Sequence, residues 1–197
     1  MSIELLRRET RQDHQRLEDR LDIHARCATA RSYRRLLERF HGFYAPYEAA
    51  LKRSASLLPD SLHWESRVRL PRLIDDLAAM GVPARQCERL ARCPGAPRPE
   101  TRAEILGCLY VTEGSTLGGQ IIRRRIHEMY GSEAPPTAFF EGYGARTGSH
   151  WRALCAAIDG ALLSPTEQEA MTRVAQGVFR TLETWLCDES PHEEFDA

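Results

Sequence analysis

The chain of 197 residues carries 27 basic and 28 acidic side chains, a formal charge of −1, and is 42% hydrophobic and 8% aromatic. That composition suits one soluble globular domain with room for a ligand cavity, and the near-neutral charge argues against a nucleic-acid partner, which a basic surface would have to hold. No run of about 18 apolar residues occurs, so no membrane span is expected, and the charged opening MSIELLRRETRQDH lacks a signal core, which predicts a cytoplasmic protein.

The pattern is helical from the start. Over residues 3–21, Leu6, Thr10, His14, Leu17 and Leu21 form one stripe at helical spacing, with Arg8, Glu9, Arg11 and Arg16 opposite. A second helix over 32–51 has a broad aromatic face that includes Tyr33, Phe40, Phe43, Tyr44 and Tyr47, and Pro46 can kink it. A third covers 66–80. Gly81 stops it, and Pro83 opens a short helix to Leu90. The segment CPGAPRP (93–99) reads as a loop, since its three prolines cannot continue a helix. Thr101-x-x-Glu104 is a capping box opening a long helix to about Gly131. Residues 132–148 are rich in Gly, Pro and Phe and are expected to be irregular. Ser149 starts a helix with Trp151, Leu154, Cys155 and Ile158 inward. Ser164-Pro165-x-Glu167 combines a cap, a first-turn proline and a box ahead of a helix that buries Met171, Val174, Val178, Leu182, Trp185 and Leu186. The tail DESPHEEFDA (188–197) is acidic and expected to be disordered. With no strand signal, the expectation is an all-α bundle forming one domain over 1–187. Bundles build ligand sites between facing helices.

The six cysteines, Cys27, Cys87, Cys93, Cys108, Cys155 and Cys187, are spread out with no C-x-x-C. Reduced, mostly buried thiols are expected. The helix over 101–131 breaks a local rule by containing Gly107, Gly114, Gly118 and Gly119. Each interior glycine costs roughly 0.5–1 kcal/mol against alanine, so the four cost on the order of 3 kcal/mol. Gly107, Gly114 and Gly118 share a face, with Gly119 beside it. A face without side chains admits either another helix packed tightly or a flat ligand lying on bare backbone. The second feature is His14, with Glu18 one turn on. Such a histidine is either a hydrogen-bonded structural residue or a metal ligand whose other ring nitrogen a carboxylate orients. Cys93, before Pro94, is an alternative thiolate ligand for iron.

Over nearly its whole length the chain resembles the haem oxygenase family, most closely the bacterial branch associated with bacteriophytochromes. LLRRETRQDHQRLE is similar to that family's proximal helix and GCLYVTEGSTLGGQIIRRR to its kinked distal helix; YRRLLERFHGFYAPYEAAL, FFEGYG and GSHWRAL fit as well. The resemblance implies a haem oxygenase-like multi-helix bundle with haem, both cofactor and substrate, between the two helices. It implies His14 as the proximal iron ligand with Glu18 behind it, and Gly114, Gly118 and Gly119 as the distal wall. It also implies Ser115 as a water-holding catalytic residue and Arg7 and Arg152 at the haem propionates. Ser115 stands where the animal-type branch carries an aspartate; a hydroxyl can hold a water but cannot accept protons as a carboxylate does.

The implied reaction is oxidative cleavage of haem to biliverdin with release of iron and CO, using O2 and external electrons. The chain has no G-x-G-x-x-G and no iron–sulfur spacing, so a separate ferredoxin or flavodoxin with its reductase is the expected donor. The basic triplet Arg123, Arg124 and Arg125 is its expected docking patch, and a bacteriophytochrome is an expected acceptor of biliverdin. Three alternatives stand beside this: a non-catalytic haem carrier or sensor on the same fold, a thiaminase-like helical hydrolase using Cys108 near Glu113, and a structural bundle with a tight glycine groove.

Overall fold

In the computed structural model, which describes residues 2–188, the chain is all-α, and no strand occurs among the described residues. The helices are α1 (Ser2–Leu21), α2 (Ile23–Cys27), α3 (Ala30–Arg53), α4 (Leu70–Ala79), α5 (Ala84–Cys87), α6 (Arg102–Tyr130), α7 (Ala138–Glu141), α8 (Thr147–Asp159) and α9 (Pro165–Cys187). The acidic tail beyond Asp188 lies outside the described residues.

Three long helices begin where the sequence supplies a cap. Thr29, Thr101 and Ser164 each accept from the backbone N–H three residues on, and the side chains of Ser32, Glu104 and Glu167 answer the cap's own N–H. These boxes satisfy donors that have no partner within the helix. Helices α3 and α8 begin two residues earlier than expected, at Ala30 and Thr147, and two departures are larger. The helix expected over 66–80 begins at Leu70, because Trp64–Arg67 is a 3-10 turn and Val68 is extended. Buried Glu48 then caps α4 from α3, accepting from Arg69 N at 2.7 Å and Leu70 N at 3.2 Å. The supposedly irregular stretch holds α7, capped in turn by Asp76 of α4, which accepts from Ala138 N and Phe139 N at 2.9 and 2.8 Å.

α9 is the support on which α1 and α6 both lie, while α1 and α6 touch each other little. On one side, Arg16 and Arg20 of α1 each donate to Glu183 of α9 at 2.9 Å. The hydrogen bonds from Arg20 and then Arg16 hold the Glu183 carboxyl below its ordinary range. On the other side the contact is backbone to backbone: a Cβ on Gly107 would stand 2.4 Å from the Met171 carbonyl oxygen. Gly119 is similarly close to α7, with Phe140 O at 3.0 Å from its would-be Cβ. A Cβ on Gly114 would make ordinary contact with the Trp151 ring at 3.5 Å, and one on Gly118 would meet nothing within 4 Å. The glycine face therefore divides, with tight packing at Gly107 and Gly119 and open space before Gly118.

Gly107→Ala should lower the stability of the ligand-free protein by about 1–3 kcal/mol, since α9 must shift to admit the methyl group. Gly118→Ala should leave it equal or raise it by up to about 1 kcal/mol through helix propensity; denaturant unfolding of both variants reads the difference. A second expectation concerns pH. Burial pushes Glu48 up to about 7 against the opposing hydrogen bonds from Arg69 and Leu70. A carboxyl raised in the folded state holds its proton more tightly there than when unfolded. Its contribution is therefore fully present below the ordinary carboxyl pKa of about 4.3 and lost as pH rises toward 7. Glu48→Gln should flatten the stability–pH curve in that window.

Candidate functional site

Because α1 and α6 are held by α9 rather than by each other, a gap remains between them. It forms a cavity of about 400 Å³, within the range of about 300–1,000 Å³ usual for small-molecule sites. α1 lines it with Arg7, Thr10, Arg11, His14, Leu17 and Glu18, and α6 lines it with Tyr110, Gly114, Ser115 and Gly118, among others. Phe40, Tyr44, Phe139, Trp151 and Phe179 add aromatic surface. The structure thus gathers His14, Glu18, Arg7, Gly114, Ser115 and Gly118 at one place. Gly119 stands just behind this wall, buried against Phe140.

His14 sits between two kinds of neighbour. Its Nε2 lies 3.5 Å from Glu18 Oε1, and its ring meets the edge of Phe179 with centroids 5.5 Å apart. Both side chains are more than half exposed, so the imidazole is accessible. That separation pairs Glu18 with Nε2 and leaves Nδ1 as the ring's other nitrogen. One ring nitrogen can be offered to a metal while the other stays with a carboxylate that fixes the tautomer. Among the described residues no three His, Cys, Asp or Glu side chains converge as a metal site. A lone histidine suits a metal already chelated within its own ring. The facing wall suits a flat ring too, because the backbone at Gly118 has no neighbour to fend it off.

Ser115 donates to the Thr112 carbonyl at 2.7 Å, while Thr112 and Thr116 bond back to Cys108 O and Glu113 O at 3.1 and 2.6 Å. Such back-bonding favours a bend, although α6 runs unbroken through it. Arg7 and Arg11 line the cavity with exposed side chains, placing cations at its rim. Arg152 does not line it. Its neighbour Trp151 takes the wall position, and Arg152 is exposed on α8, its Nη1 3.4 Å from the site of a Cβ on Gly148.

The sequence put Arg11 on the face opposite His14, whereas it lines the same cavity; Trp151 was expected inward, and Arg69, Tyr110 and Phe179 were given no place in the site. Arg11 was legible: it follows Arg7 by one helical turn. Arg69 was hidden by the expected start of the helix at residue 66, which placed it inside a helix rather than just before one; Pro71 in the first turn of α4 was the available signal.

The alternatives to this site fare poorly. Cys108 is buried outside the cavity lining, and burial pushes its thiol far above the ordinary range. Glu113 is engaged by Arg67 Nη1 at 2.8 Å and the Tyr143 hydroxyl at 2.6 Å. Cys93 is also buried and outside the lining, its N–H bonded to Gly42 O at 3.0 Å.

Comparisons with known proteins agree with the geometry. A family profile described as heme oxygenase matches residues 2–188. A heme oxygenase of Xanthomonas campestris pv. campestris is 30% identical over 161 residues, covering 82% of this chain and 92% of the relative. The fold matches the structure of a heme oxygenase from Leptospira interrogans with a TM-score of 0.74 at 20% identity, over 95% of this chain and 99% of that one.

Proposed function

The chain belongs to the haem oxygenase family, and from that membership we propose that it opens haem to biliverdin, releasing iron and CO, with O2 and electrons from a separate donor. The observation that carries this reading is one cavity lined on one side by an accessible histidine beside a carboxylate, and on the other by a glycine with open space before it. His14 is the iron ligand. Glu18 accepts from the other ring nitrogen, which orients the imidazole and raises its basicity. Arg7 and Arg11 take the propionates, since the guanidinium fork binds carboxylate in two-point fashion. Arg152, outside the lining, is left out of this set.

Haem, as substrate, brings the iron and its redox chemistry; the protein supplies orientation and shape. Gly118 and Gly114 let the macrocycle approach the α6 backbone, and the aromatic walls exclude water from its faces. Ser115 offers a hydroxyl for hydrogen bonding on the distal side. For electrons, Arg123, Arg124 and Arg125 are all exposed on α6, following exposed Leu117 and Ile121. We infer that an acidic donor docks there.

Hemin titration should give a sharp Soret band at near-stoichiometric haem, and reductant with oxygen should convert it to bile pigment. Binding without pigment would favour a carrier. His14→Ala should lose the axial bond and most turnover, with partial spectral rescue by imidazole; an unaltered spectrum would remove His14 as ligand. Glu18→Gln should cost about 10–100-fold in activity, as loss of an outer-shell partner usually does. For the donor, charge-steered association fades with salt. Donor-supported turnover should therefore fall as ionic strength rises, and should slow in Arg123→Gln, Arg124→Gln or Arg125→Gln. Ascorbate-driven turnover should change much less, and equal salt dependence with both reductants would rule out the patch.

A further inference from the structure

The cavity wall holds a buried charge that the reading above leaves unused. Arg69, just before α4, is only 3% exposed yet lines the cavity. Its guanidinium is 4.1 Å from the Phe139 ring centroid and 5.1 Å from that of Tyr44. Nη1 donates to the Tyr44 hydroxyl at 2.7 Å and lies 3.2 Å from both Thr112 O and Ser115 Oγ; Nη2 donates to Phe139 O at 3.1 Å. Nε has no partner among the described residues.

No carboxylate among the described residues reaches ion-pair distance of the guanidinium, although the cation acts through space on Glu48 and Glu113. Glu48 of α3 spends its carboxylate on the backbone N–H groups of Arg69 and Leu70. Glu113 of α6 is held by Arg67 and Tyr143. Tyr44 of α3 is the other titratable group in contact, and His14, Glu18, Arg7 and Arg11 face the cavity from α1. Burying a cation without a paired carboxylate is costly, and a donor left unmet adds to that. Its bonds to the Thr112 and Phe139 carbonyls and its ring contacts offset part of that cost.

Its effect falls on Ser115, which is exposed toward the cavity. Arginine can only donate and does not lose its proton. It therefore occupies a lone pair of the serine oxygen, and the one hydroxyl hydrogen must point elsewhere, to Thr112 O as seen or to a group in the cavity. We propose that Arg69 is a positioning residue of this site: as a fixed cation it turns Ser115 into a hydrogen-bond donor toward a small anionic ligand on the distal side of the haem. The inference rests on the haem-degrading reading and adds to it. Where the animal-type branch has a distal acid, this chain presents a hydroxyl backed by a positive charge.

The test uses the full chain reconstituted with ferric haem and reads two equilibria besides turnover. One is the pH midpoint of the water-to-hydroxide transition in the visible spectrum; the other is the dissociation constant of fluoride, a small anion that accepts hydrogen bonds. A nearby cation favours the anionic ligand, so removing it raises the midpoint. Arg69→Gln should raise it by about one unit and weaken fluoride about tenfold, the scale of one charge-assisted hydrogen bond. Arg69→Lys, which keeps the charge, should recover most of both. Ser115→Ala should move both in the same direction by less, and it decides the matter if Arg69→Gln does not fold. Unchanged midpoint and fluoride affinity in Ser115→Ala, and in whichever Arg69 variants fold, would overturn the proposal. Wild-type protein that gives no haem complex would instead overturn the functional reading beneath it.

Discussion

The close approach of α6 to α9 at Gly107 is the constraint on which the rest depends. Two helices that pack on each other leave no cavity between them, because close packing is what apolar burial rewards. Here the two wall helices are fastened to a third. α1 is tied to α9 through Glu183 and its two arginines, and α6 through a contact of backbone on backbone at Met171. Any side chain at residue 107 would push α6 outward along its length and alter the width of the gap. The cost of a glycine at that point is the cost of a wall set at a fixed distance.

The same helix then has to change its use within three turns. Gly107 meets protein, Gly114 meets an aromatic ring, Gly118 meets open space and Gly119 meets the α7 backbone. The sequence showed the stripe and its two possible partners, since a run of glycines in a capped helix needs a compensating contact. It could not divide the stripe, because the division depends on where α7, α8 and α9 cross α6, and those crossings are set by distant residues. His14 and Glu18 were legible for a simpler reason: their relation lies within one helical turn, and helical spacing alone puts them together.

Arg67 and Arg69 mark where the reading failed. A helix running over 66–80 would contain both residues, and its apolar stripe gives neither a role. In the structure the chain is still extended at Val68, so both arginines turn inward, one to Glu113 and the other to the cavity. What holds α4 at its later start is Glu48, twenty-one residues earlier, accepting from Arg69 N. A cap supplied from another helix leaves no local signature. The buried residues hardest to find from sequence are therefore those whose backbone is fixed by a remote side chain.

Placing Arg69 and Glu18 on opposite sides of one cavity has a consequence that neither residue has alone. Glu18 beside His14 is an acceptor, and it draws on the imidazole N–H so that the other nitrogen becomes the better electron donor. Arg69 and Ser115, across the gap, favour negative charge where it would build up. A ring bound between them would lie in a field that runs from guanidinium to carboxylate through its plane. At the buried guanidinium such a field is screened less than in water, whereas at Glu18, more than half exposed, solvent screens it more. The glycine wall serves this arrangement as well as the fit of the ring. In the arrangement proposed above, the open space before Gly118 leaves room for a ligand beside the Ser115 hydroxyl that Arg69 contacts.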